Sequence, residues 1–156
     1  MDEKVKKQAE SAYKTVCAAL EEMGLKFDRN DDKLAITCEG VGEDLPINIR
    51  ISILPEQHLV SLISQMPFKV PEARRPDIAL VTSIANYKMV DGNFDFNVKL
   101  GNIFYRQTTS YWSSLISKEV IKYLMSLSIS MIDEFNDKFM AVSTGAMSVD
   151  DFAAKY

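Results

Sequence analysis

Apolar side chains recur at three- and four-residue steps through Val5, Ala9, Ala12, Tyr13, Val16, Leu20 and Met23, with Gly24 placed to end the run. One face of a 3.6-residue helix repeats in this way, so the spacing predicts an amphipathic helix over about 3–23. The period then falls to two. Leu34, Ile36 and Cys38 alternate with polar residues, and Ile47, Ile49, Ile51 and Ile53 do so more regularly, which predicts β-strands with one buried face. Pro55-Glu56 leads into LVSLISQM. Its poor alternation predicts a hairpin into a strand covered on both faces, at the centre of a sheet.

The stretch QMPFKVPEARRP, residues 65–76, reads as the joint between that strand and a second helix over about 77–90. Ile78, Val81, Ala85 and Met89 keep the helical step, Pro76 suits the first helical position, and Asp91-Gly92 stops the run. Phe94, Phe96 and Val98 then alternate with polar residues, and the turn LGN leads into IFYRQTT, a second antiparallel hairpin. From Ser117, an N-cap, the row Val120, Leu124, Leu127, Met131, Phe135, Phe139 and Val142 traces the longest helix, which ends before Gly145. Ser148-Val149-Asp150-Asp151 begins a short terminal helix whose stripe is Val149, Phe152, Ala153 and Tyr156. Too short to be stable alone, it must dock on the body, dock on a partner, or fray. The order of helix, three or four strands, helix, two strands and long helix predicts one α+β domain, an antiparallel sheet flanked by helices, with 143–156 a short C-terminal extension.

Composition changes this picture little. A chain of 156 residues, 47% hydrophobic and 26% charged, can bury a core without disulfide or metal. Its 22 acids exceed its 18 Lys and Arg, and so mild an acidity lacks the basic footprint that nucleic-acid binding uses. Cys17 and Cys38 fall at no metal-ligand spacing and read as buried reduced thiols. The N-terminus is charged where a secretory leader would be apolar, and no run approaches the roughly 20 apolar residues of a membrane span. A cytoplasmic protein is expected.

Three local features, the passage PFKVPEARRPDIA, the late-helix Asn86 and the hairpin DGNFDFNVKLGNIFYRQT, together with the order of elements, resemble the YbjN-type family of bacterial sensory transduction regulators. The resemblance runs from about Tyr13 to Val142. It implies a fold similar to that of type III secretion chaperones, a regulatory role, and no defined reaction or catalytic residue. Chaperones of this class commonly act as homodimers, so self-association is also implied.

Candidate chemistry is sparse. Lys69, Arg74, Arg75 and, more distantly, Lys88 form the local basic concentration, which fits an anion or acidic-peptide site at the start of the second helix, or else solvated cations around a proline joint. Gly40-Val41-Gly42 lacks the third glycine and the helix of a dinucleotide loop and reads as a turn before Glu43-Asp44. Asp133, Glu134 and Asp137 read as a solvated helix face. His58, beside Glu56 in a hairpin turn, has no nucleophile in a recognisable motif and reads as a surface histidine. Asn86 is expected to tie its helix to the following hairpin, with Pro71, Pro76 and Gly92 as further structural positions. Trp112, near Phe104, Tyr105 and Tyr111, is either packed within the chain or an interface anchor. With the resemblance, this sparse chemistry implies a non-enzymatic, YbjN-type interaction or regulatory module with chaperone-like binding of a protein partner, and no cofactor, metal, membrane or nucleic acid is expected. A sensor of small anionic ligands or acidic metabolites, using Lys69, Arg74 and Arg75, is the alternative.

Overall fold

The structure is a computed structural model that describes residues 2–43 and 45–156. The chain forms α1 (Glu3–Glu22), β1 (Phe27–Asn30), β2 (Ala35–Val41), β3 (Pro46–Leu54), β4 (Leu59–Lys69), α2 (Arg75–Lys88), β5 (Asn93–Asn97), β6 (Asn102–Ser110), α3 (Lys118–Thr144) and α4 (Val149–Ala153). A single 3-10 turn, Glu72–Arg74, precedes α2. The strands form one antiparallel sheet in the order β1-β2-β3-β4-β6-β5. The fold is α+β, as the periodicities predict.

Alternation decides which face of the sheet is covered. Ile36 pairs with Ile51 and Ile51 with Leu62, which places these buried side chains on the side where the helices lie. Helix α3 crosses the middle of the sheet, touching β2, β4 and β6, while α1 flanks it over β3 and α2 flanks it beside β5. Strand β4 is central but covered on one face only: Val60, Leu62 and Met66 are buried under α3, whereas Leu59 and Ile63 on the other face are half-buried. Both row positions are apolar, and sequence alone cannot tell a flanking sheet neighbour from a covering layer.

Three further differences have local causes. Strand β1, FDRN, has one apolar residue and so no readable period; its pairing with β2 holds it in place. The joint is shorter than the sequence suggests, because Pro67-Phe68-Lys69 remains in β4, and the register shifts between Gln65 and Lys69 where Pro67 can donate no ladder bond. Val98 lies in the β5–β6 turn and is exposed, so the alternation ends at Phe96.

Caps and ties set the ends. The Ser117 side chain accepts from Val120 N–H at the start of α3, and Gly145 closes it in the left-handed conformation at φ 81°. Lys118 and Lys122 of α3 both pair with Glu22 at the end of α1, which holds that carboxyl below the usual carboxylate range. The Asn86 side chain donates to Phe94 C=O at 2.9 Å and accepts from Phe94 N–H at 2.7 Å. Those are the outward backbone groups of an edge strand, so Asn86 occupies positions that another strand would use. Beside it, Gly92 has φ 70°, and a methyl group there would overlap the Tyr105 hydroxyl, which donates to Asp91 C=O at 2.8 Å.

Replacing Asn86 by Ala strands two backbone groups, and we expect a loss of about 2 kcal/mol, readable by urea unfolding. Burial, with Asp91 and Tyr123 adding to it, pushes the Tyr105 hydroxyl up to about 12 from an ordinary value of 10. A raised value in the folded state means that the neutral form is favoured there, so this stabilisation is complete below pH 10 and disappears as pH rises toward 12. Tyr105→Phe should therefore make the alkaline loss of stability shallower.

Candidate functional site

The basic cluster of the sequence is dispersed by folding. Arg74 donates through Nη1 to Asp77 at 3.1 Å, and its guanidinium lies against Gly145 at the end of α3. Although Arg74 precedes the N-terminus of α2, it thus sits at the C-terminus of α3, where a cation is favoured. Arg75 turns the other way, donating through Nη1 to Lys99 C=O at 2.9 Å with Nε 3.5 Å from Val70 C=O, and ties the end of β4 to the β5–β6 turn. Lys69 is exposed at the end of β4 opposite Asn102, and Lys88 is exposed at the far end of α2. Pro71 is extended and accepts from Arg74 N–H, and Pro76 lies in the first turn of α2.

Two features that read separately in sequence meet in space. Glu43 N–H, in the turn after Gly40-Val41-Gly42, donates to Asp133 Oδ2 at 3.1 Å, while Asp44 lies outside the described residues. Glu134 pairs with Lys138, so the three acids of α3 do not converge. Among the described residues no group of three His, Cys, Asp or Glu could hold a metal ion. Burial pushes the Cys38 thiol up to about 11 and raises that of Cys17, which keeps both in the unreactive thiol form.

His58 is not a free surface histidine. It adopts φ 54° in the β3–β4 turn and is half-buried, with the Tyr111 and Trp112 rings 5.7 and 4.5 Å from its own. Trp112 leans edge-on against it yet remains 66% exposed. It therefore combines partial intramolecular packing with a large free surface.

An apolar concavity lies elsewhere, between the C-terminal end of α2 and the middle of α3. A cleft of about 320 Å³ has Ala85, Met89, Leu127, Met131, Phe135 and Tyr156 as its apolar walls and Lys88, Val90, Asp91, Tyr123 and Glu134 around its mouth. Val90 is fully exposed and Tyr123 half-exposed. Asp91 accepts from the Tyr123 hydroxyl at 3.0 Å, which consumes one polar group of the rim. No sequence feature singled this cleft out. The available signal was the width of the apolar arc on α3: Ile121, Met125 and Ile132 form a second row beside Leu124, Phe135 and Phe139, more than one covering layer requires.

Tyr156 reaches the cleft because the C-terminal segment docks on the body. Ser148 and Asp151 form a reciprocal capping box, Phe152 is fully buried and stacked on Phe139, and Tyr156 stacks on Phe135 at 5.3 Å.

Comparison with known proteins agrees with this architecture. The family model YbjN, described as "Putative bacterial sensory transduction regulator", matches residues 12–141, and the chain belongs to that family. A crystal structure of YbjN from E. coli is similar at a TM-score of 0.56 with 17% identity, over 81% of this chain and 92% of that one. A chain of the HopA1–SchA chaperone–effector complex is similar at a TM-score of 0.56 with 10% identity, over 82% of this chain and 96% of that one. The fold is therefore shared with a chain of a chaperone–effector complex as well as with YbjN from E. coli. No curated protein matches the sequence.

Gly145→Ala should destabilise the chain by about 1–2 kcal/mol, from the left-handed backbone and from displacement of Arg74. Combined with Arg74→Ala, its cost in urea unfolding should be less than additive, because the second change removes the obstructing guanidinium.

Proposed function

We propose that this chain is a non-enzymatic, cytoplasmic regulatory module that works by binding a protein partner in a chaperone-like manner. The observation that carries the reading is the apolar cleft between α2 and α3, rimmed by exposed Val90 and Tyr123. A groove of this kind gains its binding free energy from burying hydrocarbon, at roughly 25 cal/mol per Å² before the costs of association. Trp112 and Leu115, 66% and 86% exposed on the loop before α3, supply a second apolar surface for a partner or for another copy of the chain. Membership of a family described in regulatory terms and a fold shared with a chaperone–effector complex support recognition rather than reaction chemistry. No helix among the described residues is long and apolar enough to cross a membrane.

Photoreactive residues placed one at a time at Val90, Trp112 and Asn48 in the whole chain, inside the cells that express it, test this reading on three surfaces. Discrete protein adducts from Val90 or Trp112 are expected. A chain that yields no protein adduct from any of the three positions contradicts the reading.

A further inference from the structure

Resting on the interaction reading above, we propose that the α2/α3 cleft receives an amphipathic helix of a partner protein, laid beside the chain's own C-terminal segment and continuing its track. The register of α3 carries the argument. Leu127, Met131, Phe135 and Phe139 are spaced four residues apart, which aligns them as one ridge along the helix. The C-terminal segment covers half of that ridge: Phe152 stacks on Phe139 and Tyr156, four residues later, on Phe135. The segment therefore runs antiparallel to α3, matching the ridge step for step.

Met131 and Leu127 continue the same ridge but are only half-buried and form the wall of the cleft. Beside Tyr156 this part of the ridge lines an open cleft, with the same chemistry at the same spacing as the part under Phe152 and Tyr156. A helix with two apolar side chains four residues apart repeats, on Met131 and Leu127, the contacts that Phe152 and Tyr156 make on the covered half.

Charge defines the rest of the partner. At the mouth, Glu134 is paired with Lys138 and Asp91 is engaged by Tyr123. Lys88 faces no carboxylate within ion-pair distance among the described residues. The matching helix carries an Asp or Glu beside its apolar pair. A second copy of this chain is the poorer fit. On its α2, Leu80 and Ile84 have the right spacing, but Ile84 packs against the core and the acid one turn away, Asp77, is already held by Arg74.

The probe is a fluorescein-labelled, helix-forming synthetic peptide with two Leu four residues apart and a Glu one turn away, added to the whole protein. We expect saturable anisotropy, with amide shifts in nuclear magnetic resonance spectra centred on Met89, Val90, Leu127 and Met131. Val90→Glu, at a fully exposed position, and Met131→Gln should each weaken binding at least ten-fold, with the urea midpoint of Val90→Glu unchanged. Lys88→Glu should weaken it several-fold, and a peptide with Lys in place of Glu should restore it. Absence of binding, equal binding of a peptide whose Leu residues stand two apart, or indifference to Val90→Glu overturns the proposal. So does a Val90-dependent dimer that the peptide cannot dissociate. Protein adducts at Trp112 or Asn48 together with a failed peptide would remove this inference and leave the interaction reading standing, whereas no adducts anywhere would remove both.

Discussion

Helix α3 spans 27 residues with an apolar arc too wide for one covering surface. It satisfies that arc by lying across β2, β4 and β6 with one side and meeting α1 and α2 with its flanks. Phe135 and Phe139 sit where these contacts converge, against Phe94 of β5 below and against Tyr156 and Phe152 of the C-terminal segment. Each neighbour is positioned by its contact with this helix: α1 through Glu22, α2 and α4 through the apolar ridge, and the 3-10 turn through Arg74 at Gly145. Removing its buried face would leave the sheet with one row of exposed isoleucines and no reason for the helices to share a side.

Polar side chains around that core act mainly as ties between elements. Asn86 saturates the outer edge of β5, Arg75 joins the end of β4 to the next hairpin, and Ser64 and Ser128 form a hydrogen bond of 2.5 Å beneath α3. Such buried or half-buried polar groups specify one arrangement because a slipped register would leave them unpaired. The proline joint, Asn86 and the second hairpin form one mechanical unit linking β4 to α2 and α2 to β5.

Two of the surfaces that remain open after these ties are made are apolar. The cleft beside Tyr156 and the Trp112–Leu115 loop leave hydrocarbon exposed to water.

Periodicity in the sequence sufficed to determine the two long helices, the isoleucine strand, both hairpins and the capped ends of α3, because each is set by near-neighbour residues through a repeat of two or 3.6 and by local caps. Tertiary structure alone decided what those elements face. The short strand β1 carries too few apolar residues to announce itself, Pro67 stays in its strand because β6 pairs on either side of it, and β4 carries Leu59 and Ile63 on the face away from α3. Arg74 and Arg75, adjacent in sequence, engage different elements, and Gly145 meets Arg74 across 71 positions of chain. The cleft belongs to the same category, since it exists where the end of one helix, the middle of another and a terminal aromatic come together, and a linear pattern carries no information about such distances.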